Sequence, residues 1–299
     1  MIISAETLDL AFKGFKAVYT DAYMHAPVHH EKIVMKVPSA AHSETYGWMG
    51  EFPQLREWVG ARHIKGLRAH GFTIENLTFE STVEVTRNDI ADDRIGVFKP
   101  MFSEMGQLAR RHPEELVFNL LKAGFDTECF DGQNFFDTDH PMTGESGAGA
   151  ETVSNMQPGP GPAWFLLDNT RAVRPIILQE REPYEFEGIT NPNDEHVFMK
   201  DRYLYGVRAR INAGFGLWQL AFGSKAPLTA ENHAAARQAM MGFRSDGGRI
   251  LGVNPAVLVV PSALEAPALA LLNATTNETG GSNIWHGTAD LIVTPYLSA

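Results

Sequence analysis

One segment of the chain, residues 126–140, concentrates side chains that bind metals or move protons. It contains Asp126, Glu128, Asp131, Asp137, Asp139 and His140. Such oxygen and nitrogen ligands suit divalent cations, so a metal-dependent hydrolase using Asp137, Asp139 and His140 is one interpretation. The alternative is a turn-rich acidic segment, because the Asp-Gly and Asp-His-Pro sequences are typical of turns. No orienting partner at a known spacing and no glycine-rich phosphate loop supports catalysis, so we predict neither a metal site nor a cofactor here.

The other side chains that could bind a metal or react lie in sequence contexts that do not support either role. No carboxylate at a ligand spacing such as HExxH accompanies the four histidines of the N-terminal part, which are His25, His29, His30 and His42. Ser262 lacks the GxSxG elbow and fits a capping box with Glu265 instead. Cys129 is the single cysteine, which excludes an internal disulfide and agrees with a reducing compartment. The sequence therefore predicts no catalytic residue and no enzyme.

Composition and charge limit the classes of protein to which the chain can belong. The chain has 299 residues, 44% of them hydrophobic and 20% charged, which is typical of a globular protein of one or two domains. No run reaches the 18 apolar residues of a membrane span, and no signal peptide is predicted. The net charge of -11 arises in residues 126–201, which contain 15 acidic residues and only four basic ones. Because nucleic-acid binding through phosphates needs a basic face, tight binding of DNA is not expected.

The elements that would carry these residues follow from hydrophobic periodicity. Residues 96–124 have helical spacing, with a kink or a restart expected at Pro113. Residues 76–86 alternate as a half-buried strand of roughly 35 Å, and residues 203–217 place apolar side chains at every odd position. A short amphipathic start precedes an irregular stretch that we interpret as an extended arm. After residue 223, helices and strands alternate, with a helix capped by Thr229, a buried strand at residues 256–260 and a final strand at residues 291–294.

Residues 46–72 combine large aromatic side chains with glycines and basic residues. This composition suits a projecting loop that buries its aromatics against a partner, because Trp and Arg are frequent anchors of interfaces. An ordinary loop folded onto its own domain is the alternative. The candidate contact residues are Trp48, Phe52, Arg56, Trp58, Arg62 and His63.

Four long motifs in order resemble the major head subunit of Mu-like phages and prophages. They read YGWMGEFPQLREWVGARHI, HGFTIENLTFESTVEVTRNDIADD, CFDGQNFFDTDHP and VFMKDRYLYGVRARINAGFGLWQLAF. The resemblance runs from the first residues to the LIVTPYL end. It implies an α+β chain with the Hong-Kong-97-like major capsid protein fold, which has an N-terminal arm, an extended loop, a peripheral domain with a long spine helix, and an axial domain.

Carried onto this chain, the resemblance implies four segments. Residues 1–43 would be the arm, 44–95 the extended loop with its returning strand, 96–222 the peripheral domain with spine helix and sheet, and 223–299 the axial domain. The implied function is a capsid protein of the virion that self-assembles, in the host cytoplasm, into hexamers and pentamers of an icosahedral shell around double-stranded DNA. A scaffold and a maturation protease would be separate partners, with decoration and portal proteins as further ones. No cross-link site is assigned. Besides the capsid subunit, two alternative functions stay open, which are the metal-dependent hydrolase and a tail-associated structural protein.

Overall fold

The computed structural model describes residues 3–47, 71–92, 94–143, 150–245, 249–277 and 280–298. The α-helices in this part of the chain are α1 Ala5–His25, α2 Arg87–Ala91, α3 Lys99–Ala123, α4 Glu195–Lys200, α5 Ala230–Met241 and α6 Glu265–Leu272. The strands are β1 Val34–Pro38, β2 Ser43–Tyr46, β3 Phe72–Glu75, β4 Leu77–Thr86, β5 His140–Thr143, β6 Ala150–Val153, β7 Met156–Gln157, β8 Trp164–Leu167, β9 Ile176–Ile189, β10 Arg202–Phe215, β11 Ala221–Ser224, β12 Val257–Pro261 and β13 Asp290–Thr294. None of the described helices is long and apolar enough to cross a membrane.

A four-stranded sheet in the order β1-β9-β10-β4 is built around the long hairpin of β9 and β10. The predicted alternation is confirmed, because the odd positions of β10 are buried except for the partly buried Ala213. The even positions carry Arg202, Arg208 and Arg210 on the opposite face, where Arg208 and Arg210 pair with Glu182 and Arg202 pairs with Glu84. The register between β10 and β9 shifts around Arg210.

Helices α1 and α3 cover the apolar face of this sheet side by side. Phe15 of α1 stacks on Phe102 of α3 with ring centroids 4.2 Å apart, and both rings meet Tyr205 of β10 edge to face. Further along, Arg110 of α3 lies over the ring of Tyr23. Later residues of α1 thus meet later residues of α3, so the two helices run in the same direction.

The predicted spine helix is one continuous helix, α3, that runs through Pro113. The alternative of a second helix restarting there is wrong. A proline inside a helix removes one backbone hydrogen bond, but Pro113 is buried on the packed side of α3 among side chains that hold the helix in place. Tertiary packing therefore outweighs the local preference of proline.

A second, five-stranded sheet has the order β13-β12-β8-β11-β7. The strands predicted at β12 and β13 are confirmed, with β12 buried throughout and β13 only in part, as is the cap of Thr229 on α5. The sheet implied for the peripheral domain, residues 96–222, is divided, however, because β8 pairs with β11 and β12 while β9 and β10 belong to the first sheet. All four residues of β8 are buried, so this strand is central and needs neighbours on both sides.

Two local predictions are wrong. Ser262 does not form a capping box, since it begins a 3-10 turn, Ser262–Leu264, that leads into α6 without a side-chain cap. The stretch predicted to be irregular, residues 22–44, is more ordered than expected, because α1 continues to His25 and β1 pairs in parallel with β9. The buried Ile33 and Val34 attach this part of the chain to the main core.

Candidate functional site

The six predicted contact residues, Trp48, Phe52, Arg56, Trp58, Arg62 and His63, lie outside the described residues, so their role stays a prediction. The structure does describe the stem that leads to them. Strands β2 and β3 pair antiparallel, and their last described pair is Tyr46 with Phe72. The Tyr46 hydroxyl donates to Gln179 of β9 at 2.8 Å, which fixes the stem on the four-stranded sheet. Residues 48–70 thus begin and end at one defined point of the body.

The returning strand of the predicted loop, β4, is part of the body. All ten of its residues pair with β10, from Leu77 with Ile211 to Thr86 with Arg202. Only Val85 is fully buried, and Phe79 packs edge to face on His112 of α3. The returning strand therefore belongs to the four-stranded sheet and does not extend away from the body with the loop.

The acidic segment brings His140 and Asp131 together in the core, not in a cleft. His140 is fully buried, and its Nδ1 lies 2.8 Å from Asp131 Oδ2 while its Nε2 lies 3.2 Å from Asn155 Oδ1. That amide oxygen also accepts the Asp137 N–H, so it faces His140 as an acceptor. Both ring nitrogens therefore have a hydrogen-bond partner inside the core. Its flat face stacks on Trp218 at 3.9 Å.

Cys129 completes this cluster as a hydrogen-bond donor. Its thiol donates to Asp131 Oδ1 at 3.1 Å, and burial, with Asp131 nearby, raises the pKa of the thiol. Burial also raises the pKa of Asp131, but hydrogen bonds from His140, Cys129 and the Gln133 backbone outweigh it and lower the net value. Cys129, Asp131 and His140 are the one group in the described part of the chain with ligand atoms close enough for a metal ion. Each of these atoms already has a protein partner, which indicates a structural network.

The other two candidate catalytic carboxylates form a turn. Asp137 accepts backbone N–H groups from Asn134 and Thr138. Its slight burial raises its pKa, but these bonds and one from Asp139 lower it overall, whereas the pKa of Asp139 is raised chiefly by that shared hydrogen bond. Asp137 also accepts a hydrogen bond from the hydroxyl of the adjacent Thr138 at 3.5 Å, a contact within the turn, and His140 is buried away from solvent. The geometry agrees with the turn-rich interpretation and offers no hydrolytic centre.

Sequence reasoning missed a polar contact between the N-terminal part and α3. Oε1 of the buried Glu114 accepts the backbone N–H of His29 at 2.5 Å and of His30 at 2.6 Å, and it lies 3.1 Å from Nδ1 of His30. Burial raises the pKa of Glu114, but these bonds outweigh it and lower the net value. The available signal was an acid beside Pro113 on the apolar side of α3.

Comparison with known proteins gives full-length matches. The profile of the family described as "Mu-like prophage major head subunit gpT" matches residues 8–297. The chain is 41% identical over 306 residues to the "Major capsid protein" of Escherichia phage Mu, covering 99% of this chain and 100% of that protein. It is also 41% identical over 276 residues to the "Mu-like prophage FluMu major head subunit" of Haemophilus influenzae, covering 90% of each chain.

Solved structures of bacteriophage JBD30 share the fold. The procapsid chain superposes with a TM-score of 0.88 at 43% identity, covering 98% of this chain and 100% of that one. The capsid chain gives a TM-score of 0.79 at 32% identity, with 94% of each chain covered. A capsid decorated with minor capsid protein trimers gives 0.74 at 32% identity, with 91% and 92% covered.

Proposed function

The chain belongs to the family of Mu-like prophage major head subunits, and from this premise we propose how it builds a phage head. It is a major capsid protein with the α+β capsid fold, a structural component of the virion and not an enzyme. The observation that carries this conclusion is the superposition on the JBD30 procapsid chain over 98% of the residues at 43% identity. The hydrolase and tail-associated interpretations have no comparable support.

We propose that copies of the chain form hexamers and pentamers that close an icosahedral shell around double-stranded DNA, assembled in the host cytoplasm. Heterologous contacts that close on themselves can build such a shell from one kind of subunit. The acidic balance of residues 126–201 supports a wall that contains DNA without binding it tightly. A scaffold, a maturation protease and a portal protein would be separate chains. Binding of a decoration protein is suggested by the minor capsid protein trimers on the JBD30 capsid.

The conformation described here is proposed to be that of the precursor shell. The TM-score is 0.88 to the procapsid chain but 0.79 and 0.74 to the two capsid chains. In that state the N-terminal part lies along α3, and Glu114 binds its backbone at His29 and His30.

The four-stranded sheet with α1 and α3 is proposed as the peripheral domain, and the five-stranded sheet with α5 and α6 as the axial domain. The sheet orders support this division, since β7 and β8 join β11, β12 and β13. A second hydrophobic cluster, formed by α1, the first half of α3 and the distal parts of β9 and β10, supports a separate peripheral core. The proposed boundary differs from a cut at residue 222, because the chain passes between the two sheets more than once.

The extended loop offers a direct test of assembly. We propose replacing residues 48–70 by a short Gly-Ser linker, which would close the hairpin whose last described pair is Tyr46 with Phe72. If the loop contacts a neighbouring subunit, the variant should remain soluble with near-native thermal unfolding but form no closed shells in electron micrographs. Loss of about 2 kcal/mol or more per aromatic anchor, repeated at every subunit, accounts for this sensitivity.

The control is the point variant Phe79→Leu, which changes an aromatic residue of β4 that packs within the subunit on His112. It should lower thermal stability while leaving closed shells. Normal shells after the loop replacement would show that residues 48–70 make no lattice contact, and an unfolded subunit would show that they belong to a core.

A further inference from the structure

Strand β4 forms one edge of the four-stranded sheet along its whole length. All ten of its residues pair with β10, and in the described part of the chain no strand pairs with its other side. Alternate residues of an edge strand direct their backbone N–H and C=O groups away from the neighbouring strand. β4 therefore presents a row of backbone donors and acceptors at the outside of the sheet, and a second extended strand is the structure that matches such a row.

This edge lacks the features that usually prevent strand pairing. Sheet edges are commonly protected by short strands, bulges, proline or lysine. β4 is ten residues long, contains neither proline nor lysine, and pairs with β10 without a register shift. Its sequence, LTFESTVEVT, is rich in the β-branched residues that favour strands. We therefore expect the outer edge of β4 to be covered in the assembled protein.

The side of β4 that faces the helices leaves room for a second strand. Its odd-numbered residues lie on this side, since Phe79 packs on His112 of α3 and Val85 is buried. Ser81 is nevertheless exposed, and Leu77 keeps 46% of its surface accessible. α3 thus does not reach over the outer edge at these two positions.

The geometry of the sheet limits how β4 can pair with a second copy of itself. Antiparallel pairing about a two-fold axis perpendicular to the sheet keeps the helices of both copies on one side. Residues of the same parity then lie opposite each other, because opposed residues of paired strands point to the same face. Two registers of this kind pair nine residues of each copy, which are residues 77–85 centred on Ser81 or residues 78–86 centred on Thr82.

Charge separates the two registers. Glu80 and Glu84 are the only charged residues of β4, and both lie on the side away from the helices, opposite arginines of β10. The register centred on Thr82 places Glu80 of each copy opposite Glu84 of the other, and like charges directly opposite destabilise a sheet. The register centred on Ser81 avoids this conflict. Its opposed pairs are Leu77 with Val85, Thr78 with Glu84, Phe79 with Val83 and Glu80 with Thr82.

We propose that the outer edge of β4 is a two-fold contact between neighbouring copies of this chain, in which two β4 strands pair antiparallel about Ser81. The inference rests on the proposed assembly into a shell and adds one named contact to it. The row of backbone groups requires a strand as the occupant, and the self-complementary register identifies that strand as β4 of a second copy. A strand pair of this length buries little area, so the contact acts by repetition over the shell.

Disulfide formation in assembled particles tests the register. Ser81→Cys should form dimers in shells, because residue 81 faces its own copy with Cβ atoms about 4.5–5.5 Å apart. Thr82→Cys should give several-fold fewer dimers, because its two copies are then diagonal neighbours about 7–8 Å apart, beyond the usual reach of a disulfide. The unmodified chain is the control, because its one thiol, Cys129, is buried.

A matched pair of substitutions supplies an independent readout. In the Ser81→Cys background, Thr82→Glu places a second carboxylate opposite Glu80 and should reduce the yield of dimers several-fold. Thr82→Gln has the same size without the charge and should leave most of the yield. Thermal unfolding of each dissociated variant checks that the subunit remains folded. An equal loss of dimers with Thr82→Gln and Thr82→Glu would contradict the placement of residue 82 opposite Glu80.

The remaining outcomes separate the contact from the capsid function. More dimers from Thr82→Cys than from Ser81→Cys would overturn the proposed register. Closed shells without dimers from either variant would overturn the contact between β4 strands while leaving the capsid function intact, and would mean that another partner or solvent covers this edge. Absence of any shell from the unmodified chain would instead contradict the proposed function.

Discussion

Gly106 sets the distance between α1 and α3, and its replacement by alanine should lower stability. A Cβ built at this position lies 2.3 Å from the carbonyl oxygen of Tyr19 and 3.1 Å from Cβ of Ala22. Ordinary contact begins near 3.4 Å, so the two helices would have to separate by about 1 Å. The Tyr19 oxygen belongs to the backbone and cannot rotate away. We therefore expect the overpacking cost in the upper part of the usual range of about 1–3 kcal/mol.

Helix propensity acts in the opposite direction and can be removed with a matched control. Alanine favours a helix interior over glycine by about 1 kcal/mol. Gly14 of α1 has no atom within 4 Å of its built Cβ, so Gly14→Ala should show this gain alone. Gly106→Ala should then be less stable than the natural chain by about 1–2 kcal/mol and less stable than Gly14→Ala by about 2–3 kcal/mol.

Denaturant unfolding of the dissociated subunit measures both differences. Hydrogen exchange should show faster exchange in α1 for Gly106→Ala, because separation weakens the contact between Phe15 and Phe102. Equal stabilisation by the two substitutions would refute the close approach. Unchanged exchange in α1 with lower global stability would show that the strain is relieved elsewhere.

Three further predictions concern buried polar groups. Glu114→Gln should lower the free energy of unfolding by about 1–2 kcal/mol at pH 7. Because the pKa of Glu114 is lowered in the folded chain, this difference between the two chains should shrink as the pH falls through that pKa. A difference that stays constant with pH would contradict the prediction. Burial lowers the pKa of His233 to about 4, and its ring nitrogens have no hydrogen-bond partner. The stability of the folded chain should therefore fall between pH 6.5 and 4. His233→Phe should remove roughly 2 kcal/mol of that loss at pH 5, and denaturation measured at several pH values would test this. Asp131→Asn should destabilise the chain by about 1–3 kcal/mol because it removes the carboxylate oxygen that pairs with Nδ1 of the buried His140. EDTA should leave the melting temperature unchanged, and stoichiometric zinc in the washed protein would contradict that expectation.

The elements best predicted from the sequence are those whose pattern has one strict period. Strand β10 alternates over its length because one face is covered by helices and the other is open to solvent, so period two is imposed at nearly every residue. Helix α3 is predicted almost to its ends for the same reason, with buried residues at helical spacing from Phe102 to Leu121. In both elements, the same side is packed against the rest of the protein along the whole length, so the periodic pattern is not interrupted.

The errors concern features that depend on distant partners. Strand β8 is apolar on both sides, which indicates burial but does not reveal that β12, about ninety residues later, is its neighbour. The end of α1 has polar and aromatic residues that local pattern leaves undecided. Tyr19 and Tyr23 are fixed there by contacts with α3 and β9. Glu114 and the pair of His140 with Asp131 are likewise visible only once segments far apart in the chain meet.

The candidate reactive side chains and the exposed apolar side chains differ in whether the folded subunit itself supplies their contacts. His140, Asp131 and Cys129 have the residue types of a catalytic or metal centre, but every one of them is partnered inside the core. Leu10, Met24 and Phe198 have no chemistry beyond their apolar surface, and yet the folded subunit leaves each of them largely exposed. Since exposed apolar area is stabilised only when another surface covers it, side chains of this kind are the candidates for contact with another subunit. For a protein whose activity is assembly, unsatisfied surface indicates function more directly than reactive residue types do.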